Sequence, residues 1–327
     1  MILLTHTDDA RALYYGPRAQ SALEALGVPV RLNRTGRPLE GDALIQAAAG
    51  MRLIVADRAV PAPASLFEAL PELVAFVRGA VDIRTVDVAA ASAAGVLVTR
   101  ASPGFVAAVC ELVLGLMVDL SRGVSDAVAH YRAGRQPPVR MGRQIAGSTV
   151  GIIGYGAIGH RLAQILQAIG ARVLVADPHA DIDDGPEAVD LATLLRQSDY
   201  VVCAAVANAQ TANLLDAQAF AAMQKTAYLI NISRGELLDE AALATALDRG
   251  QLAGAALDVG RAPDQMPIAA LACRADVIAT PHIGGLTSEA AEHQALETVR
   301  QVQAILQGRA PEGAVNADRA NRLVRRS

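Results

Sequence analysis

Short β-branched runs alternate with segments of helical period along this chain, and that alternation restricts the fold more than any other feature. The runs are Leu53 to Ala56, Leu73 to Val77, Val96 to Thr99, Val150 to Ile153, Arg172 to Ala176, Tyr200 to Ala204, Ala227 to Ile232, Ala255 to Val259 and Val277 to Thr280. Three precede residue 100 and six follow residue 149. Strands separated by helices assemble into parallel sheets with helices covering both faces. Two groups of strands in 327 residues also suit two domains of ordinary size.

The helices mark their own ends. Ile158, Leu162, Ile165, Leu166 and Ile169 recur at spacings of three and four on one face, and Gly170 stops that helix. Asp239 is placed to cap Glu240 to Arg249, with Gly250 just beyond. Thr287 or Ser288 caps a long last helix through about Gln307. If that helix returns to the first group of strands, the first domain is built from both ends of the chain. The segment Ala133 to Gly147, with Pro137, Pro138 and three arginines, reads as the connector into the second sheet.

Composition narrows the class of function. The chain is 52% hydrophobic and 19% charged, the balance of a packed globular protein. Its formal charge of -4 supplies no basic field for nucleic acid or an anionic membrane, which points to small-molecule work. Cys110, Cys203 and Cys273 have no C-x-x-C spacing and lie in apolar surroundings, so they are expected to be buried thiols rather than disulfides or zinc ligands. Met1 to Ala10 carries Asp8 and Asp9 and no signal-peptide pattern, so the expected location is cytoplasmic. Val106 to Leu120 is broken by Glu111 and Asp119 and falls short of the roughly 20 residues that span a bilayer, so it is read as a buried helix.

The sharpest motif is Gly154-Tyr155-Gly156-Ala157-Ile158-Gly159, which leaves the strand Thr149 to Ile153 and opens a helix. Its first glycine permits a tight turn, the second lets the backbone approach a pyrophosphate, and the third lets helix and strand pack closely. The helix N-terminus then offers free N–H groups to the anion, through Ala157 and Ile158. Asp177 ends the next strand, where a carboxylate accepts from both ribose hydroxyls and repels a 2'-phosphate, favouring NAD over NADP. The bland alternative is an ordinary glycine turn beside a solvated aspartate.

Two further residues follow strand ends, where open α/β sheets bind ligands. Arg234, in Asn231-Ile232-Ser233-Arg234-Gly235, has a guanidinium fork that matches a carboxylate; it is equally readable as a surface arginine in a turn. His282, in Pro281-His282-Ile283-Gly284-Gly285, is the residue type suited to the proton exchange that accompanies hydride transfer at an alcohol carbon. A lone histidine is more often structural, but its proline and glycine neighbours would hold this one rigidly. His6, His130, His160, His179 and His293 lack such a setting and are read as bystanders.

These motifs, in this order, resemble the D-isomer-specific 2-hydroxyacid dehydrogenases, the family of phosphoglycerate, glycerate, D-lactate and formate dehydrogenases. The resemblance runs from about Leu73 to Thr298. It implies an α/β fold in which a doubly wound parallel (Rossmann) NAD-binding domain, about residues 100–284, is inserted into a flavodoxin-like substrate domain made of 1–99 and 285–327. The active site would lie in the cleft between them. It implies that Arg234 binds the substrate carboxylate, that His282 is the acid or base, and that Asp258 holds the nicotinamide carboxamide beside a cofactor contact at Ser233. Asp258 is otherwise a strand-end cap. The run Val106 to Leu120 matches the helix that builds the family's two-fold dimer, implying a homodimer.

The chain also departs from the pattern. The family's third catalytic group is a glutamate five residues after the aspartate, and Pro263 stands there. One inserted residue before His282 brings Asp264 into the glutamate's register counted backwards, and Asp264 is the expected substitute; Gln265 would instead mimic the formate-type enzymes. In the substrate loop, Arg78-Gly79-Ala80-Val81-Asp82-Ile83-Arg84 replaces the usual glycine-rich turn, leaving the N–H groups of Gly79, Ala80 and Val81 to bind a carboxylate. Phe105 stands where phosphoglycerate-type members carry a substrate-contacting asparagine. A phosphorylated substrate is therefore disfavoured, although Arg78 and Arg84 keep it open. The leading expectation is an NAD-dependent dehydrogenase of a small 2-hydroxy or 2-oxo acid. The alternative is an NAD-responsive, corepressor-like binding protein with little catalysis.

Overall fold

A computed structural model of the chain describes residues 1–182 and 185–323. The chain divides into two compact units, Met1–Phe105 with the chain from Thr287, and Val106–Leu286. Among the described residues, the first unit holds a five-stranded sheet of β1 (Ile2–Leu4), β2 (Val30–Leu32), β3 (Leu53–Ala56), β4 (Ala75–Arg78) and β5 (Leu97–Thr99), ordered β2-β1-β3-β4-β5. All its pairs are parallel, the flavodoxin-like order.

Side chains alternate across this sheet, and both faces are buried. Leu3, Ile54, Phe76 and Val98 enter one core, while Ile2, Leu4, Leu53, Val55, Ala75, Val77 and Leu97 enter the other. Burial on both faces is why the strands read as continuous apolar runs. The second face is covered partly by the last helix, Ser288–Leu306, whose Val299, Val302 and Ile305 lie in that core. The first unit is therefore made from both ends of the chain. Thr287 caps the helix, accepting from the Ala290 N–H, which decides between the two candidate caps.

The second unit holds β6 (Thr149–Ile153), β7 (Arg172–Ala176), β8 (Glu187–Ala188), β9 (Tyr200–Cys203), β10 (Tyr228–Asn231), β11 (Gly254–Leu257) and β12 (Val277–Ala279). Their order among the described residues is β12-β11-β10-β9-β6-β7-β8, all parallel. This is the doubly wound arrangement, with its switch point between β6 and β9. The apolar run near residue 110 forms the helix Val106–Arg122, which packs on the helix Ala157–Ala168 and on β10 and β11. Among the described residues no helix is long and apolar enough to cross a membrane.

Several expectations need adjusting. β1, β2 and β8 lie outside the runs: β2 is interrupted by the exposed Arg31, and β8 is exposed and carries no β-branched residue. The units divide after Phe105 and after Leu286; past residue 99 the chain stays bonded to the first unit, with Arg100 N–H donating to the Gly313 carbonyl and Ala101 N–H to the Ala80 carbonyl. Cys110 and Cys203 are buried free thiols, but Cys273 is exposed at the end of a four-residue helix, Ala269–Ala272.

Candidate active site

The turn leaving β6 has no room for side chains at two of its glycines. Gly154 has φ 95°, and a Cβ there would stand 2.6 Å from the Ala205 Cα. A Cβ on Gly159 would stand 2.1 Å from the Gly154 carbonyl oxygen, so this glycine is what lets the helix begin pressed against the strand end. Gly156, by contrast, faces open space and precedes a helix whose N-terminus has no side-chain cap. The N–H groups of Ala157 and Ile158, in the first turn, are left without intrahelical acceptors.

Asp177, at the end of β7, is tied to this turn. Its Oδ2 accepts from the Tyr155 N–H at 2.7 Å and its Oδ1 from the His179 N–H at 2.9 Å. Burial alone would raise the carboxyl, but these donors outweigh it and hold the group below the ordinary carboxylate range. A carboxylate accepts about four hydrogen bonds, so capacity remains for a ribose.

At the end of β10, the buried Asn231 closes the next loop on itself. Its Oδ1 accepts from the Ser233 N–H at 3.1 Å, and its Nδ2 donates to the Arg234 carbonyl at 2.9 Å. The Ser233 hydroxyl donates to the Ala205 carbonyl at 2.6 Å, the residue against which Gly154 lies. Arg234 is half-buried on an extended backbone, its Nη1 donating to the Ser233 carbonyl at 2.7 Å. Gly235 brings this loop onto the one after β11, since a Cβ on it would fall 2.2 Å from the Gly260 carbonyl carbon.

Asp258 is 1% exposed and binds the histidine loop with both oxygens. Its Oδ1 accepts from the Thr280 hydroxyl at 2.7 Å and the Ile283 N–H at 2.8 Å, and its Oδ2 from the Gly284 N–H at 2.8 Å. His282 lies inside the segment so fixed, with φ 54°. Its Nδ1 is 3.0 Å from the main-chain carbonyl oxygen of Asp264. A carbonyl only accepts, so a hydrogen bond here requires a proton on Nδ1. This corrects the expected pairing: neither the Asp264 carboxylate nor the Gln265 carboxamide meets the ring. The Gln265 Oε1 is buried and accepts no hydrogen bond.

In the first unit, the loop after β4 keeps only part of its expected role. The Gly79 N–H donates to the Ala56 carbonyl at 2.9 Å and is spent. The N–H groups of Ala80 and Val81 have no acceptor among the described residues. Arg78 is fully buried, donating to the carbonyls of Asp57 and Val60 and to the Thr85 hydroxyl, and burial pulls its pKa down to about 10. Arg84 is bound in a fork by the Asp82 carboxylate. Phe105 is half-buried at the end of this segment.

Residues 114–284 match the family model described as D-isomer specific 2-hydroxyacid dehydrogenase, NAD binding domain. The (S)-sulfolactate dehydrogenase of Chromohalobacter salexigens is 33% identical over 273 residues, covering 82% of this chain and 88% of that one. This chain belongs to the D-isomer specific 2-hydroxyacid dehydrogenase family. The D-3-phosphoglycerate dehydrogenase of Mycobacterium bovis is 33% identical over 303 residues, 91% of this chain but 57% of that protein. The chain thus spans about half the length of the phosphoglycerate dehydrogenases it matches. In solved structures, the TT0316 protein of Thermus thermophilus superposes with a TM-score of 0.86 at 29% identity, covering 96% of this chain and 99% of that one.

As a member of this dehydrogenase family, the chain carries an NAD-binding domain, and the turn after β6 fits such a group. Open space at Gly156, an uncapped helix start and the Asp177 carboxylate lie together on one sheet edge. Sequence reasoning overlooked Asn231, although it sits within the Arg234 motif, and overlooked Asp177's bond to Tyr155. His6, expected to be a bystander, is buried 3.8 Å from Asp57, and burial depresses its pKa to about 4.

Proposed function

We propose that this chain is an NAD-dependent dehydrogenase that interconverts a small 2-oxo acid and its D-2-hydroxy acid. The observation that carries the reading is the His282 ring, oriented by a hydrogen bond on Nδ1 at the same sheet edge as the glycine turn. With Nδ1 occupied, Nε2 is the atom that gives or takes the alcohol proton. Arg234 holds the substrate carboxylate through its guanidinium fork. When bound, NAD(H) supplies or accepts the hydride. Gly154, Gly156, Ala157, Ile158 and Gly159 receive its diphosphate and Asp177 its ribose. Asp258 and Ser233 already use their side chains to hold loops, so they support the nicotinamide end chiefly by fixing the backbone there.

The substrate is proposed to be unphosphorylated. Arg78 is fully buried with both Nη atoms on internal acceptors and Arg84 is paired with Asp82, so the arginines that kept a phosphate open in the sequence are engaged. Ala80 and Val81 remain as N–H donors to a carboxylate, and Phe105 replaces a polar contact with an apolar ring. The chain is also proposed to act as a cytoplasmic homodimer. Val139 and Met141 are 100% and 99% exposed, and Val118, Val124, Val128 and Tyr131 are exposed on the preceding helices. These exposed apolar side chains, on the two helices and the segment that follows them, are what supports self-association.

Oxidation of NADH by the purified protein against glyoxylate, hydroxypyruvate, phenylpyruvate and 3-phosphohydroxypyruvate tests the reading, with His282→Ala as control. Turnover of unphosphorylated acids that disappears in the variant is expected. Tight NADH binding with no turnover of any acid would overturn it.

A further inference from the structure

We propose that the main-chain carbonyl of Asp264, presented by the consecutive left-handed residues Asp264 and Gln265, takes the place of the family's glutamate and holds His282 as its Nδ1–H tautomer. This rests on the reading of His282 as the proton-exchanging residue.

The loop that presents the carbonyl is built without help from the Asp264 carboxylate. Gly260 N–H donates to the Gln265 carbonyl at 2.8 Å and Ala262 N–H to the Met266 carbonyl at 3.0 Å, closing residues 260–266 on themselves. Asp264 and Gln265 have φ 57° and 59°, a conformation that non-glycine residues adopt only when their surroundings impose it. Arg261 ties the loop down from outside. Its N–H donates to Glu240 Oε1 at 3.0 Å and its Nη2 to the Leu238 carbonyl at 2.9 Å. The tight contact of Gly235 with Gly260 adds a third anchor. With the loop so fixed, the Asp264 carbonyl is directed at the ring while its side chain stays exposed.

His282 is held independently from its other side. Asp258 fixes the N–H groups of Ile283 and Gly284, and φ 54° at His282 completes the sharp bend. The backbone is thus set by one buried carboxylate and the ring by one carbonyl. A family glutamate at this place offers a full negative charge and can itself take a proton; a carbonyl does neither. What it retains is direction, since it accepts in both protonation states of the ring and leaves Nε2 to exchange the proton. Asp264 is therefore a positioning residue acting through its main chain.

Nitrogen-15 NMR of the histidine rings, in protein free of cofactor and substrate, tests this directly, with the His282 signals assigned by their loss in His282→Asn. In the neutral ring, Nδ1 is expected to show the protonated, pyrrole-type shift and Nε2 the pyridine-type shift, and Asp264→Asn is expected to keep that pattern. Asp264→Val, which forces a β-branched residue into the left-handed region, is expected to lose it and to lower kcat more than it changes KM. A neutral His282 protonated on Nε2 in the unmodified chain, or a switch to that form in Asp264→Asn, overturns the proposal; these two arms decide even if Asp264→Val does not fold. The readout needs no turnover, so it stands apart from the dehydrogenase reading, which fails instead if His282→Ala keeps its activity.

Discussion

The turn after β6 and the corner around His282 share one edge of the seven-stranded sheet, but they make opposite demands on the amino-acid sequence. The turn requires that side chains be missing: Gly154 and Gly159 each lie where a Cβ would collide with backbone. The corner requires one acceptor 3.0 Å from a ring nitrogen, and the acceptor is a main-chain carbonyl. Every residue has such a carbonyl. The turn is therefore spelled out in letters, whereas the corner is fixed by loop shape and is nearly silent about which residue occupies position 264.

The largest effects should separate these regions by what is lost. His282→Ala is expected to lower turnover by about 10²- to 10⁴-fold, the usual contribution of a general acid or base, while NADH still binds when followed by fluorescence. Gly154→Ala should instead abolish NADH binding, and turnover with it. It also combines positive φ with a Cβ 2.6 Å from Ala205, so it should cost about 1–3 kcal/mol of stability in denaturant titrations. Gly156→Ala meets open space and should weaken NADH without destabilising the fold. If His282→Ala loses NADH binding to the same degree as Gly154→Ala, the two regions are not separable and the comparison fails.

Asp258 tests the corner at its buried end. In Asp258→Asn, one oxygen becomes an NH₂ donor facing either the Gly284 N–H or the Ile283 N–H and Thr280 hydroxyl. Leaving buried donors without an acceptor costs about 1–3 kcal/mol, read as a lowered denaturation midpoint. Because the displaced segment carries His282, kcat should fall in the same variant. A stability loss with kcat intact would mean that the backbone clamp does not set the ring's position.

The same contrast accounts for what could be read before any coordinates. The alternation of runs, the Asp239 and Thr287 caps, the glycine turn and the family motifs were legible because each depends on local side-chain chemistry or on its absence. β2 and β8 are not, because Arg31 interrupts the first and neither residue of Glu187–Ala188 is apolar and β-branched. The sequence points to Asp264 through its carboxylate, whereas it is the main-chain carbonyl that meets the His282 ring, because a positive φ at two successive non-glycine residues is only faintly signalled by their identities. Gly79 failed for a related reason: its N–H belongs to the ladder with Ala56, and only the register of β3 and β4 reveals that it is spent.

The smallest effect sharpens the comparison from the other side, since among the described residues Asp177 is the charged side chain bonded to the turn's own backbone, through Tyr155. Its carboxyl is held below the ordinary carboxylate range, with burial opposing and the Tyr155 and His179 N–H donors prevailing. A depressed folded-state value means that the ionised group stabilises the fold fully above its unfolded-state pKa, about 3.9, and that this contribution disappears as pH falls through the folded-state value. The difference in urea midpoint between the unmodified chain and Asp177→Asn should therefore be constant above about pH 4 and shrink on further acidification. A difference that grows instead would mean that burial outweighs the two donors. The turn would then rest on its glycines alone, and the charge beside it would serve the ribose without shaping the backbone.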